Sequence, residues 1–154
     1  MKTRQPPQIG IFVCHCGKNI ASSVDVERVV SEISSLPGVA YAAEYKYMCS
    51  QPGQSLVMDT IRDHKLDAVI VAACTPSLHE VTFRKAASEA GLNPYRVEIA
   101  NIREQCAWVH QDDKDVATKK AVEIIASMVQ KVSLDQALTG DSIPVTKRAL
   151  VIGG

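Results

Sequence analysis

Residues 66–73 read Leu-Asp-Ala-Val-Ile-Val-Ala-Ala, and this stretch decides the fold. A short run apolar on both faces and rich in β-branched residues is the pattern of a central strand in a parallel sheet. Cys74-Thr75-Pro76 follows at once. Ser77 and Glu80 then stand at capping-box spacing, so a helix is expected to open there and close at Gly91. Upstream, Ile9-Gly10-Ile11-Phe12-Val13 is a second buried strand, and Val39–Met48 is a more polar one carrying Tyr41, Tyr45 and Tyr47. Downstream, Tyr95–Ala100 reads as a fourth.

The connections read as helices. Ser22 and Ser23 are placed to cap one running to about Ser35, with Val26, Val29, Val30 and Ile33 on one face and Pro37-Gly38 ending it. Ser50 caps the next, which has Pro52 in its first turn and turns Leu56, Val57 and Ile61 inward. A further helix begins near Asn101, and Asp113 to about Val132 gives a long one with Val116, Ala117, Ala121, Ile124, Ile125 and Met128 facing in. Alternating strands and helices predict an α/β fold: an open Rossmann-like parallel sheet of about four strands with flanking helices. No internal repeat or low-complexity segment interrupts it.

The tail differs. Residues 136–147 form a polar linker, and Arg148–Gly154 is a fresh strand ending at Gly153 and Gly154. A strand running into Gly-Gly is how a dinucleotide-binding unit opens, although the rest of the fingerprint and its helix are missing. The chain therefore reads as an N-terminal domain over 1–135, a linker, and a stray C-terminal strand at 148–154, the first of a second domain cut inside it.

Composition excludes several classes of function. The 154 residues carry 17 basic and 17 acidic groups, 46% hydrophobic and 22% charged residues, an ordinary globular balance. Zero net charge and the lack of a basic patch argue against nucleic-acid binding. No apolar stretch has the roughly 18 residues of a membrane span. Met1–Gln8 has two basic groups and no apolar run, so no secretory signal is expected and a cytoplasmic location follows. Five cysteines without such a signal read as ligands or reactive thiols, not as a disulfide framework.

Cys14-x-Cys16, Cys49, Cys74 and Cys106 match no local ligand motif. Placed on the expected strands, however, each follows a strand, at the carboxyl edge where open α/β sheets bind ligands. Helix N-termini after Cys49 and Cys74 would offer N–H groups to an anionic centre there. Three chemistries fit: an iron–sulfur cluster on four of the five thiols; a zinc site with His15 or His79 as substitute ligands; or low-pKa thiols doing disulfide exchange.

Several blocks of the chain resemble one family. Ile11-Phe12-Val13-Cys14-His15-Cys16-Gly17, Tyr45–Ser50, Pro52-Gly53-Gln54, Val71–Pro76, His79-Glu80, Thr82-Phe83-Arg84, Ala90–Tyr95 and Ala100–Cys106 resemble, in order, the N-terminal domain of the A-type subunit of heterodisulfide reductase, an iron–sulfur flavoprotein. The resemblance extends from about Ile9 to Gly154. It implies a [4Fe–4S] cluster held in a non-standard cysteine pattern by four of Cys14, Cys16, Cys49, Cys74 and Cys106. Cys49, Cys74 and Cys106 rank first because they come from separate loops, with Cys16, beside Gly17, slightly ahead of Cys14. It implies also that Ala149–Gly154 leads into an FAD domain, so that FAD, met by Gly153 and Gly154, belongs to the full-length protein only. The role implied is electron transfer within a flavin-based electron-bifurcating complex linking ferredoxin and disulfide reduction. Its partners would be the other heterodisulfide reductase subunits and an electron-donor subunit. This stretch alone is not expected to be catalytic. The unpaired apolar strand Ala149–Ile152 is expected to join a sheet edge of its own or of a second copy, giving a homodimer. The competing reading is a cluster-free docking module, or a structural zinc site, for partner subunits.

Other residues carry milder alternatives. His15 reads as a metal-tuning group or a loop histidine bonded to backbone, and His79-Glu80 as an acid/base pair or as helix capping. Arg84, Lys85 and Arg103 face the centre, a partner or solvent. Trp108 and His110 read as interface or as packing. The tyrosines cover one face of the second strand. No nucleophile triad, phosphate loop or carboxylate pair supports hydrolysis.

Overall fold

The computed structural model describes residues 7–153; Gly154 and most of the Met1–Gln8 segment lie outside the described residues. Four strands, β1 (Ile9–Cys14), β2 (Val39–Tyr45), β3 (Ala68–Ala73) and β4 (Val97–Asn101), form one sheet in the order β2-β1-β3-β4, every neighbouring pair parallel. This is the α/β doubly wound sheet that the strand pattern predicts. Its order is the flavodoxin-like one, with the chain reversing direction across the sheet between β1 and β3. Both strands are buried at every position, which is why their sequences are apolar on both faces. Edge strand β2 is only half-buried and tolerates Glu44 and its tyrosines.

Four helices cover the sheet: α1 (Val26–Ile33), α2 (Gln51–His64), α3 (Pro76–Glu89) and α4 (Lys114–Leu134). Helices α1 and α4 pack together, as do α2 and α3. Two expectations about starts are corrected. Helix α1 is capped by Asp25, whose carboxylate accepts from Arg28 N, because Ser22 and Ser23 are spent in the turn before it, Ser22 Oγ donating to Lys18 O. The Ser77–Glu80 capping box is not formed. Thr75 is the N-cap of α3, and Glu80 pairs with Arg84 one turn on. Ser50 does cap α2, accepting from Gly53 N, with Pro52 in the first turn.

The strand before α4 is shorter than expected, since Pro94–Arg96 forms a 3-10 turn and only then does the chain extend. Arg96 is buried there, donating to Asp67 O, Val132 O and Asp135 O, so its guanidinium closes the carbonyl end of α4. Along α4, Ala117, Ala121 and Ile125 point inward and Ile124 and Met128 are half-buried, while Val116, in the first turn, is exposed. Tyr41 packs on Phe12, but Tyr47 has left β2 altogether and is exposed in the following turn at φ 61°.

Residues 136–153 adopt no regular structure, and the strand expected at 148–154 is not formed among the described residues. Leu150, Val151 and Ile152 are exposed; a lone extended segment with no neighbour to share its N–H and C=O groups makes no sheet.

The turn into α2 contains a steric constraint. A Cβ at Gly53 would overlap the backbone of Met48, so glycine lets the first turn of α2 fold against the loop that carries Cys49. Gly53→Ala is expected to destabilise the chain by about 1–3 kcal/mol, overpacking outweighing the better helix propensity of alanine. A lower urea midpoint is the expected outcome. An equal or higher midpoint would show that the loop yields freely.

Candidate metal centre

The register of the sheet brings the thiols together. Val13 pairs with Ala72 and Ala73 with Asn101, so β1, β3 and β4 end level and the residues that follow them emerge side by side. Cys14 is the last residue of β1, and Cys16 opens the 3-10 turn Gly17–Asn19. Cys49 lies between β2 and α2, and Cys74 between β3 and α3. Cys14 and Cys74 thus flank the point where the strand order reverses, the crevice in which doubly wound sheets hold their ligands.

Electrostatics separates the five cysteines into four and one. Cys14 feels the charges of Cys16, Cys49 and Cys74, and Cys74 feels that of Cys49. Burial is the main cause that pushes the Cys14 thiol up to about 11, opposed by a hydrogen bond from the Met48 backbone and reinforced by the three neighbouring thiols. Burial likewise raises Cys74, with the nearby Arg103 cation pulling the other way. Cys106 stands apart. It sits in a π turn, Arg103–Ala107, is fully buried, and its Sγ donates to Ala117 O of α4 at 3.0 Å. Burial raises it too, and the one charge that offsets this is Lys120, not a thiol. All five are free thiols.

Local bonds fix the loops after β1 and β2. His15 N donates to Tyr45 O, extending the β1–β2 pairing past Cys14. Asn19 Nδ2 approaches Cys16 Sγ at 3.9 Å, and Gln54 Nε2 donates to Cys49 O at 2.9 Å. Gly17 has φ 22°, and a Cβ there would meet nothing within 4 Å, so the space beside Cys16 is open. Among the described residues no three His, Cys, Asp or Glu side chains converge on a single ion position. A tetrahedral zinc site needs its sulfurs about 3.8 Å from one another, given its ~2.3 Å bonds. A larger inorganic core lies between its thiolates and holds them farther apart.

The third element of the site is one that single-residue reading missed. Glu104 crosses from the β4 loop to cap α3: its Oε2 accepts from Thr75 N at 3.0 Å, while its own N–H donates to Asn101 Oδ1. The α3 N-terminus expected to face an anionic centre is therefore partly occupied. Arg103 donates from Nε and Nη2 to the other oxygen of Glu104, at 3.1 and 2.7 Å, and lies 4.9 Å above the Trp108 ring. Burial alone would raise the Glu104 carboxyl, but the Arg103 and backbone hydrogen bonds hold it below its ordinary range.

The remaining candidates sort themselves out. His15 Nδ1 bonds to Glu44 Oε2 at 2.9 Å, a carboxylate in place of the expected backbone partner. Arg84 pairs with Glu80 and stacks on Tyr95, and exposed Lys85 faces Glu89, so neither shares the Arg103 position. His110 Nε2 lies 3.2 Å from Lys120 Nζ. No helix is long and apolar enough to cross a membrane among the described residues.

A parallel α/β sheet that carries free thiols on three loops at its switch point defines an α/β domain with a cysteine-rich edge. The chain belongs to the family of heterodisulfide reductase A-type subunits, to whose members it is similar along nearly its whole length. It is 51% identical over 150 residues to the second A-type iron-sulfur subunit of the CoB–CoM heterodisulfide reductase of Methanopyrus kandleri, covering 97% of this chain and 23% of that protein. It is 46% identical over 153 residues to the A-type subunit of the H(2):CoB-CoM heterodisulfide,ferredoxin reductase of Methanothermobacter thermautotrophicus, covering 99% of this chain and 23% of that one. A protein of Archaeoglobus profundus, named for its likeness to the heterodisulfide reductase A-type subunit, is 47% identical, again over 97% of this chain and 21% of its own length. The chain thus spans about a fifth of the length of these relatives. No family model matches it.

The buried thiol gives the metal-free chain a pH signature. A folded Cys14 at about 11 keeps its proton where the unfolded thiol, at 9.0, gives it up. Its contribution is intact below the unfolded value and is lost as pH rises through the folded one, about 2–3 kcal/mol in all. Urea unfolding of the reduced, metal-free chain should weaken between those two values, and more steeply than in Cys14→Ala. Parallel losses in the two proteins would contradict the assignment.

Proposed function

We propose that this chain is an iron–sulfur electron-transfer domain in which Cys14, Cys16, Cys49 and Cys74 hold a [4Fe–4S] cluster. The observation that carries the reading is the division of the five thiols: Cys16, Cys49 and Cys74 lie close around Cys14 at the switch point, and the fifth is bonded to α4. The donor set is thiol throughout, which suits iron–sulfur chemistry. The open space beside Gly17 leaves room for an inorganic core, and the names of relatives call them iron-sulfur subunits.

When bound, such a cluster supplies one-electron transfer. The chain's own contribution is to hold and shield it. Cys14 is held by β1, Cys49 by the capped start of α2, and Cys74 by the tie between Thr75 and Glu104. Because the Cys14 and Cys74 thiols are raised, loading must release their protons, so binding strengthens as pH rises.

In the whole protein we read this domain as part of a flavin-based, electron-bifurcating complex linking ferredoxin to disulfide reduction, together with other heterodisulfide reductase subunits and an electron-donor subunit. Residues 1–135 are then the cluster domain, 136–147 a linker and 148–154 the first strand of an FAD-binding domain.

Anaerobic loading followed by iron and sulfide analysis tests the ligand set: about four of each per chain are expected. Cys49→Ala or Cys74→Ala should lose most of the iron, and Cys106→Ser, which keeps a donor for Ala117 O, should retain it. Loss of iron in Cys106→Ser with retention in Cys14→Ala would overturn the assignment.

A further inference from the structure

Arg103 has an environment unlike that of any other cation near the thiols. Its side chain is only 17% exposed, and Glu104's 26%. Both of its bonds go to Oε1 of Glu104, leaving Oε2 free to accept from Thr75 N, the peptide group immediately after Cys74. One carboxylate thereby ties the guanidinium to the loop of a proposed ligand. The Trp108 ring closes the opposite side at 4.9 Å, and Asn101 at the end of β4 fixes the Glu104 backbone. A guanidinium locked on two sides has little freedom to swing into solvent, unlike the exposed Lys85.

From this geometry we propose that Arg103 is a positioning residue that sets the reduction potential of the centre, by holding a fixed positive charge against the Cys74 loop. The inference rests on the cluster reading above. The physical basis is Coulombic: one-electron reduction adds negative charge to the thiolate-bound core, and a nearby fixed cation stabilises that state over the oxidised one. Glu104 bridges the Arg103 guanidinium to Thr75 N, so the cation is held one side chain away from the peptide that follows Cys74. Glu104 therefore acts as the clamp and Arg103 as the source of the field.

The test is a dye-mediated, dithionite-driven redox titration of the loaded 154-residue chain, followed by electron paramagnetic resonance, with iron and sulfide counted on each sample. Arg103→Gln removes the charge and keeps a hydrogen-bonding side chain; Arg103→Lys keeps the charge. In Arg103→Gln the ratio of reduced to oxidised cluster at a fixed potential should fall about tenfold, equal to a negative shift of about 59 mV for one electron. In Arg103→Lys it should stay within about threefold of the parent, a shift of about 30 mV or less. An unchanged potential in Arg103→Gln overturns the proposal, as does a lysine variant shifted as far as the glutamine one. If Arg103→Gln holds no iron, the lysine variant decides: a loaded cluster at the parent potential supports the charge, and loss of iron in both shows a purely structural tie. A parent chain that takes up no iron contradicts the cluster reading itself, a result distinct from all of these.

Discussion

The level ending of buried, parallel strands is the constraint from which the rest of the structure follows. β1 and β3 lie side by side with no polar position between them, and their pairing carries Cys14 and the residue after Ala73 to one edge. In a parallel sheet every strand delivers its following loop to the same side, so residues 60 apart in sequence become neighbours without any local motif. Non-standard cysteine spacing is the natural result: each loop contributes a thiol or a short pair, and the sheet supplies the proximity.

Proximity alone would be unfavourable. Thiols crowded into a buried crevice resist ionisation, as Cys14 does, whereas thiolate ligation of a metal needs them deprotonated. Beside Cys74 the chain places a cation that pulls the other way, held close by its own ion pair. Arg103 is fixed by Glu104, which is fixed in turn by Thr75 and Asn101, so β3, α3 and β4 all bear on one guanidinium. Capping a helix with a carboxylate from another loop thus serves two ends, pairing the Thr75 N–H at the start of α3 and tying Arg103 to the Cys74 loop.

Much of this was legible in the sequence, and the parts that were not share a cause. Leu66–Ala73 and Ile9–Val13 announce themselves because both faces are buried, and Ser50 with Pro52 marks the start of α2 unambiguously. Ser22, Ser23 and Asp25 are all competent caps within four residues, and the choice of Asp25 goes with contacts made on folding, Ser22 Oγ bonding to Lys18 O and Asp25 N to Thr118 Oγ1 of α4. Thr75 takes its partner from Glu104, 29 residues away, a pairing invisible to local spacing. Loop position placed Cys106 with the other thiols, but loop position does not set side-chain direction. The π turn points its sulfur at Ala117 O instead. Strand order and register decide which loops meet, and neither is written in any one segment.

The central claim is that thiols from three loops surround one polynuclear centre. Iron K-edge X-ray absorption on the anaerobically loaded chain measures that environment directly. Each iron is expected to have about four sulfur neighbours and a further shell of iron atoms. Iron bound by nitrogen or oxygen, or sulfur-bound iron with no iron shell, would contradict it.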